Sequence, residues 1–124
     1  MVLAATETIT HHTAATAATS IHMHYEGEVV QTPLDAFTGV AGLDGVAVLA
    51  PRQGIVEFFP SHRQHLGSLG PVAACVTVEG WDVVVLVPAR RMGEAHRALR
   101  GFPLQIQPWW DDGEGICFGG LEVA

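Results

Sequence analysis

Short apolar runs, separated by glycine and proline, constrain the fold of this chain more than any other feature. The longest run extends from Val83 to Ala89, and proline follows strand-like segments such as Phe58-Phe59 and Leu86-Val87. Runs of this length are too short to cross a membrane as a helix, and they have the length of buried β-strands. The sequence therefore predicts many short strands and no interaction with a membrane.

Helix signals recur between these runs at intervals of about 28 residues, a spacing at which internal repeats are suspected. Thr32-Pro33 provides an N-cap and a first-turn proline for a helix that ends at Gly42. Ser61 would cap a second short helix that ends at Gly70-Pro71. Arg90 to Arg100 is the strongest helical segment, because its apolar residues form one stripe.

Two predicted strands follow each helix. The three pairs are residues 46–49 with 55–59, 72–78 with 81–87, and 104–110 with 115–123. We therefore predict an α+β fold, a mostly antiparallel sheet with about three short helices, built as successive helix–strand–strand units. The 124 residues suffice for one hydrophobic core. Residues 20–124 are predicted to form that single domain, and the Ala/Thr-rich residues 1–19 a partly mobile segment or an edge strand.

Composition excludes some functions and favours self-association. The net charge is −7, and six arginines, with no lysine, oppose thirteen carboxylates. This balance argues against a nucleic-acid partner, which requires a dense field of cations. Charged residues make up only 15% of the chain, against about 25% in typical soluble proteins. Much apolar surface must then stay exposed or be covered by a partner, so we expect a homodimer, or an accessory subunit bound to another protein.

The cysteines and the N-terminus bear on the cellular compartment. Cys75 and Cys117 are far apart and lie in apolar runs, so we expect them to be reduced and buried. The N-terminus has no basic region followed by a continuous apolar segment, as a signal peptide would have. We expect a cytoplasmic protein.

Alternating polar residues in Ile21–Val30 form one candidate site. In a strand, four titratable side chains would point to the same face: His22, His24, Glu26 and Glu28. Imidazole and carboxylate groups at this spacing can bind a divalent transition metal or respond to pH. The alternative, which we favour, is a solvated polar face.

A second candidate surface surrounds the only pair of adjacent tryptophans. In a strand from Leu104, alternation places Trp110 in the core, and Trp109 on the exposed face with Gln105 and Gln107. An exposed indole beside polar amides indicates a subunit interface or a ligand platform.

Arginines in the last predicted helix are a further candidate. Arg90 and Arg97 lie beside its apolar stripe, where they could bind an anion or form ordinary surface ion pairs. The chain has no nucleophile elbow and no phosphate-binding glycine loop before a helix. The sequence therefore favours a small non-catalytic binding or regulatory module that acts as a homo-oligomer. The alternative is a small metal-dependent enzyme, or a metal or pH sensor.

Overall fold

The computed structural model describes residues 10–124, which form a seven-stranded sheet and four α-helices. The helices are α1 (His11–Glu26), α2 (Leu34–Thr38), α3 (Leu69–Val78) and α4 (Met92–Leu99). The strands are β1 (Val30–Pro33), β2 (Gly45–Ala50), β3 (Ile55–Pro60), β4 (Asp82–Pro88), β5 (Gln105–Asp111), β6 (Ile116–Phe118) and β7 (Glu122–Val123). Short 3₁₀ turns at Leu66–Ser68 and Ala89–Arg91 precede α3 and α4. None of the helices in this range is long and apolar enough to cross a membrane.

The sheet is mixed, and the predicted α+β class is confirmed. Its strands lie in the order β1-β2-β3-β4-β5-β6, and β7 pairs with the start of β5. β3, β4 and β5 run parallel to one another, whereas the other neighbouring strands are antiparallel. The three parallel strands therefore end at the same edge of the sheet.

The parallel pairing of β3 with β4 depends on α3, a segment for which the strand prediction was wrong. Residues 72–78 are helical, and Leu69, Ala73 and Val76 are buried at helical spacing. Pro71 is accommodated because it lies in the first turn of α3, where backbone N–H groups have no partner within the helix. The β-branched valines favoured a strand locally, but α3 serves as the crossover that parallel strands require. The middle unit therefore contains one strand instead of a hairpin.

The predicted strand from Ile21 to Val30 is also wrong, because most of it belongs to α1. Buried Ala14, Ala15 and Ala18 place one face of α1 against the sheet. Gly27 then ends α1 in the left-handed conformation, with φ 77°, and its N–H donates to the Met23 carbonyl at 3.0 Å. Residues 11–19, expected to be mobile or an edge strand, form the first half of α1. Thr10 directly precedes α1, and residues 1–9 of the predicted segment lie outside the described residues.

Helices cover both faces of the sheet. One face, which we call the α1 face, packs side chains that include Val48, Phe59 and Leu86 against the alanines of α1. The opposite α2–α4 face packs side chains such as Phe58 and Val85 against the remaining helices. Alternate residues of each central strand belong to different clusters, as the period of a β-strand requires. The protein therefore has three layers and two cores.

Candidate functional site

An open crevice of about 820 Å³ lies where β3, β4 and β5 end. Its lining consists of the strand ends, the residues that follow them and the start of α1: Thr10, His11, Pro60, His62, Pro88, Ala89, Arg90, Trp109, Trp110 and Asp111. In sheets with parallel strands, ligands bind outside the carboxyl ends, where side chains from several loops converge. The fold therefore places this crevice at the edge best suited to a binding site.

Hydrogen bonds connect the loops around the crevice. The backbone N–H of Asp44, just before β2, donates to Gln64 Oε1 at 2.7 Å. Arg91 donates to the carbonyl oxygens of Ser61 and Gln64, both at 3.2 Å, and its guanidinium also binds Glu94 at 2.9 Å. This bond from Arg91 lowers the pKa of Glu94. The loop after β3 is thus joined both to the segment before β2 and to the turn that leads into α4.

Arg90, beside Arg91, has a different environment. Its side chain is exposed and lines the crevice, and within residues 10–124 its guanidinium makes no hydrogen bond or ion pair. Asp111 supplies the carboxylate of the crevice, and its Oδ1 accepts a hydrogen bond from the Gly113 N–H at 2.8 Å. Arg90 is therefore available to a ligand, whereas Asp111 partly supports its own turn.

Two histidines, His11 and His62, also line the crevice. The rings of His11 and His12 lie 4.3 Å apart, and His11 is partly buried at the start of α1. Burial lowers the pKa of His11, as do His12 and, to a smaller extent, His62, while Asp44 partly opposes the change. His11 is therefore mainly a neutral imidazole at pH 7, able to donate one hydrogen bond and accept another.

The two tryptophans have exposures opposite to those expected. Trp109 is 4% exposed and belongs to the α1-face core, whereas Trp110 is 41% exposed. The two side chains lie on opposite faces of the sheet, as predicted, but α1 covers the face on which Trp109 lies. Trp110 lines the crevice at the end of β5. The Trp109 indole N–H is buried and has no acceptor among the described residues.

The structure disperses the four residues of the proposed metal site. His22 Nε2 lies 2.9 Å from Glu57 Oε1 on β3, and the His24 ring contacts Tyr25. Glu28 pairs with Arg52 at 3.5 Å, whereas both Glu26 carboxylate oxygens are buried without a partner in the described part of the chain. No group of three or more His, Cys, Asp or Glu side chains in residues 10–124 is placed to hold a metal ion. The metal hypothesis therefore gains no support from the structure.

Of the proposed ligand or interface residues, Trp109 and Arg90 line the crevice, and Arg97, Gln105 and Gln107 do not. Gln107 Nε2 donates to the Gly119 carbonyl at 2.7 Å and so joins β5 to the segment after β6. Gln105 and Arg97 are exposed.

Sequence reasoning missed other crevice residues, among them His11, His62 and Asp111. The signal for His62 and Asp111 is their position at or just after a strand end, and it becomes informative only once β3, β4 and β5 are known to be parallel. His11 gives no such signal, because α1 was not predicted.

The crevice combines apolar surface with hydrogen-bonding groups. Its lining contains no serine or cysteine, and in the described chain the Thr10 hydroxyl is not hydrogen-bonded to a histidine base. No protein-family model, curated protein or solved structure matches this chain. Functional inference therefore depends on the chemistry of the crevice itself.

Proposed function

We propose that this protein is a non-catalytic module that binds a small molecule in the crevice at the ends of β3, β4 and β5. The observation that supports this proposal best is the crevice itself, at about 820 Å³. Small-molecule sites occupy about 300–1,000 Å³ and combine apolar walls with a few polar groups. Pro60, Pro88 and Trp110 supply apolar surface here, while Arg90 and Asp111 supply charge.

The hydrogen bonds around the crevice support the same function. Arg91 and Gln64 hold the loops in place before any ligand arrives. A preformed site loses less conformational entropy when it binds its ligand, so more of the contact energy appears as affinity. The side chain of Arg91 is only 13% exposed, in keeping with a role in maintaining the crevice.

A titration with the neutral fluorescent probe N-phenyl-1-naphthylamine tests the proposed function. We expect saturable binding at one site per chain, weakened about tenfold by Ala89→Phe, which fills the crevice. Ala36→Phe is the matched control, because Ala36 is also an exposed alanine in a short helix but lies outside the lining. Melting curves confirm that both variants fold. Absence of saturable binding, or equal affinities for the two variants, would refute the proposal.

We also propose that the module is a homodimer. Apolar side chains near the end of α1 and in β1 are unusually exposed: Ile21 by 46%, Met23 by 54%, Tyr25 by 79% and Val30 by 50%. Ile21 and Tyr25 are one turn apart on the same side of α1, and neighbouring exposed apolar side chains are typical of interaction surfaces. Sedimentation velocity at micromolar concentration should show a dimer that Tyr25→Glu dissociates, while Val78→Glu, at another exposed apolar residue, leaves it intact. If the wild-type protein is a monomer, the dimer proposal is refuted, whereas the proposal of ligand binding in the crevice is not affected.

The cytoplasm remains the proposed location. Cys75 and Cys117 are free thiols, but the expectation that both are buried is wrong, because Cys75 is exposed and Cys117 is only half-buried. The Cys117 thiol donates to Asp112 Oδ2 at 3.3 Å, and this hydrogen bond raises the pKa of the thiol. A raised pKa makes the Cys117 thiol less reactive, and two cysteines that are not joined in a disulfide are in keeping with a reducing compartment. Fractionation of the native host tests this, and recovery from an extracytoplasmic fraction would contradict it.

A further inference from the structure

We infer that the crevice selects planar aromatic ligands that carry an anionic group, with the ring stacked on Trp110 and the anion bound by Arg90. This inference rests on the proposed function, because it assigns a ligand class to the same crevice. It depends on three features of the lining: a guanidinium without a partner among the described residues, a supported indole, and a single carboxylate that already accepts a hydrogen bond. Carboxylate, sulfonate and phosphate groups share the required chemistry.

The first feature is the contrast between Arg90 and Arg91. The guanidinium of Arg91 is committed to two carbonyl oxygens and to Glu94. Arg90 lines the crevice, is exposed, and has no hydrogen bond or ion pair in the part of the chain that is described. A guanidinium is always charged and presents a planar set of donors that matches an oxyanion. Arg90 can therefore bind an anion without first breaking a hydrogen bond or ion pair to any described residue.

The second feature is the support behind Trp110. The segment after β6 passes close to this indole, where a Cβ built on Gly119 would lie 3.4 Å from Trp110 Cζ3 and 2.6 Å from Pro108 Cγ. Gly119 also donates its N–H to the Pro108 carbonyl at 2.9 Å. Trp110 is thus held on one side by backbone while remaining 41% exposed in the crevice. An indole held in this way is a stacking surface that loses little freedom on binding.

The third feature favours an anion over a cation. Asp111 is the one carboxylate in the lining, and its Oδ1 already accepts a bond from Gly113. Arg90, by contrast, can only donate, and the imidazoles of His11 and His62 can each donate a hydrogen bond to an anion. The turn Ala89–Arg91 also leads into the N-terminus of α4, the end at which a helix is partly positive. A ligand that brings acceptors therefore fits better than one that brings donors.

Two probes with the same ring system isolate the contribution of the anion. 1-Anilinonaphthalene-8-sulfonate differs from N-phenyl-1-naphthylamine only in its sulfonate. We expect wild-type protein to bind the sulfonate about tenfold more tightly, and Arg90→Gln to abolish that preference by weakening binding of the sulfonate alone. Arg97→Gln is the matched control, since Arg97 is an exposed arginine of α4 outside the lining. Trp110→Ala should weaken both probes.

The outcomes separate the ligand class from the proposed function. If neither probe binds saturably, the proposed function fails, and the ligand class fails with it. If both probes bind with equal affinity, or Arg90→Gln behaves like Arg97→Gln, the crevice binds aromatic ligands without selecting anions, and only the present inference is overturned. Tighter binding of the cationic dye thioflavin T would also overturn it. Sulfonate binding that persists unchanged in both Trp110→Ala and Ala89→Phe would place the probe elsewhere and contradict the inference.

Discussion

The two faces of the sheet are covered by side chains of very different size. On the α2–α4 face, each helix contributes a large side chain that is fully buried: Leu34, Leu69 and Leu99. On the α1 face, the helix contributes only Ala14, Ala15 and Ala18 to the core. Large side chains bury more apolar area and so contribute most of the stability. Alanines allow α1 to lie close to the strands, which places His11 in the crevice lining.

The faces also differ in polarity. Glu57 is the one ionisable residue among the buried side chains of the described chain, and it lies on the α1 face beside His22. The unpartnered N–H of Trp109 belongs to the same face. Buried polar groups cost stability unless they are well paired. We infer that the α2–α4 face mainly stabilises the fold, whereas the close packing of α1 on the other face shapes the crevice.

The largest expected effect is a cavity in the α2–α4 face. Phe58→Ala should lower the free energy of unfolding by about 3–5 kcal/mol, because it removes a completely buried ring from the central strand β3. Val78→Ala, at a side chain 88% exposed, should change it by less than about 0.5 kcal/mol. Urea unfolding followed by circular dichroism measures both. A loss below 1 kcal/mol, on the order of a single methylene, would show that this face is not the main source of stability.

A volume increase tests the α1 face. Ala15→Leu should lower the free energy of unfolding by about 1–3 kcal/mol, because a larger side chain at a fully buried position separates α1 from the sheet. Thr16→Leu is the matched control on the exposed side of α1, and it should have little effect. The same urea titrations compare the two variants. Equal stabilities would mean that α1 does not approach the sheet as closely as its alanines indicate.

A smaller effect, dependent on pH, is expected at Glu57. Burial raises its pKa above 4.5, although His22 acts in the opposite direction. Between pH 4.5 and this raised pKa, the folded state binds a proton that the unfolded state has released, so the contribution of Glu57 to stability falls as pH rises through that window. Glu57→Gln keeps the size of the side chain and an acceptor for His22 but removes the charge. Its stability relative to wild type should therefore increase with pH, then level off above the raised pKa.

Unfolding free energies measured from pH 4.5, the ordinary pKa of a glutamate side chain, to pH 8 test this expectation. Glu28→Gln is the control, because the Glu28 side chain is 65% exposed and paired only with Arg52. The pH dependence of the difference from wild type should be larger for Glu57→Gln. A difference that is constant across this range would show that burial does not raise the pKa of Glu57 in the folded protein.

The contrast between the faces also explains what the sequence could predict. Strands β2 to β5 and helix α4 have strong apolar periodicity, so their positions were predicted within a few residues. α1 was missed because its buried face consists of alanines, which give almost no apolar contrast with the surrounding threonines. Local β-propensity misled the prediction in α3, where Val72, Val76 and Val78 are part of a crossover helix.

The crevice was less predictable than the strands. Turn signals do not show whether strands pair in parallel, yet only parallel pairing brings Pro60, Pro88 and Asp111 to one edge. The sequence identified Arg90 and the tryptophans as chemically informative residues. It could not associate them with His11 or His62, which depend on the position of α1 and of the loop after β3.

The smallest expected change in stability comes from two neighbouring tryptophans that belong to opposite faces of the sheet. With Trp81, which packs against Phe37, replaced by phenylalanine, each remaining indole can be observed alone. In Trp81→Phe/Trp110→Phe, the remaining Trp109 is 4% exposed and should emit at shorter wavelength and resist quenching by acrylamide. In Trp81→Phe/Trp109→Phe, the remaining Trp110 is 41% exposed and should be quenched readily.

The changes in the free energy of unfolding should be small for both tryptophans. Trp110→Phe should cost less than about 0.5 kcal/mol, because little of its contact area is lost at a partly exposed site. Trp109→Phe removes buried area but also removes an N–H that has no acceptor among the described residues, so the two effects oppose each other. Equal quenching of the two indoles would contradict the arrangement in which α1 covers one face and leaves Trp110 open to the crevice. Strong quenching of Trp109 but not of Trp110 would agree with the exposures predicted from sequence. It would mean that α1 does not cover that face.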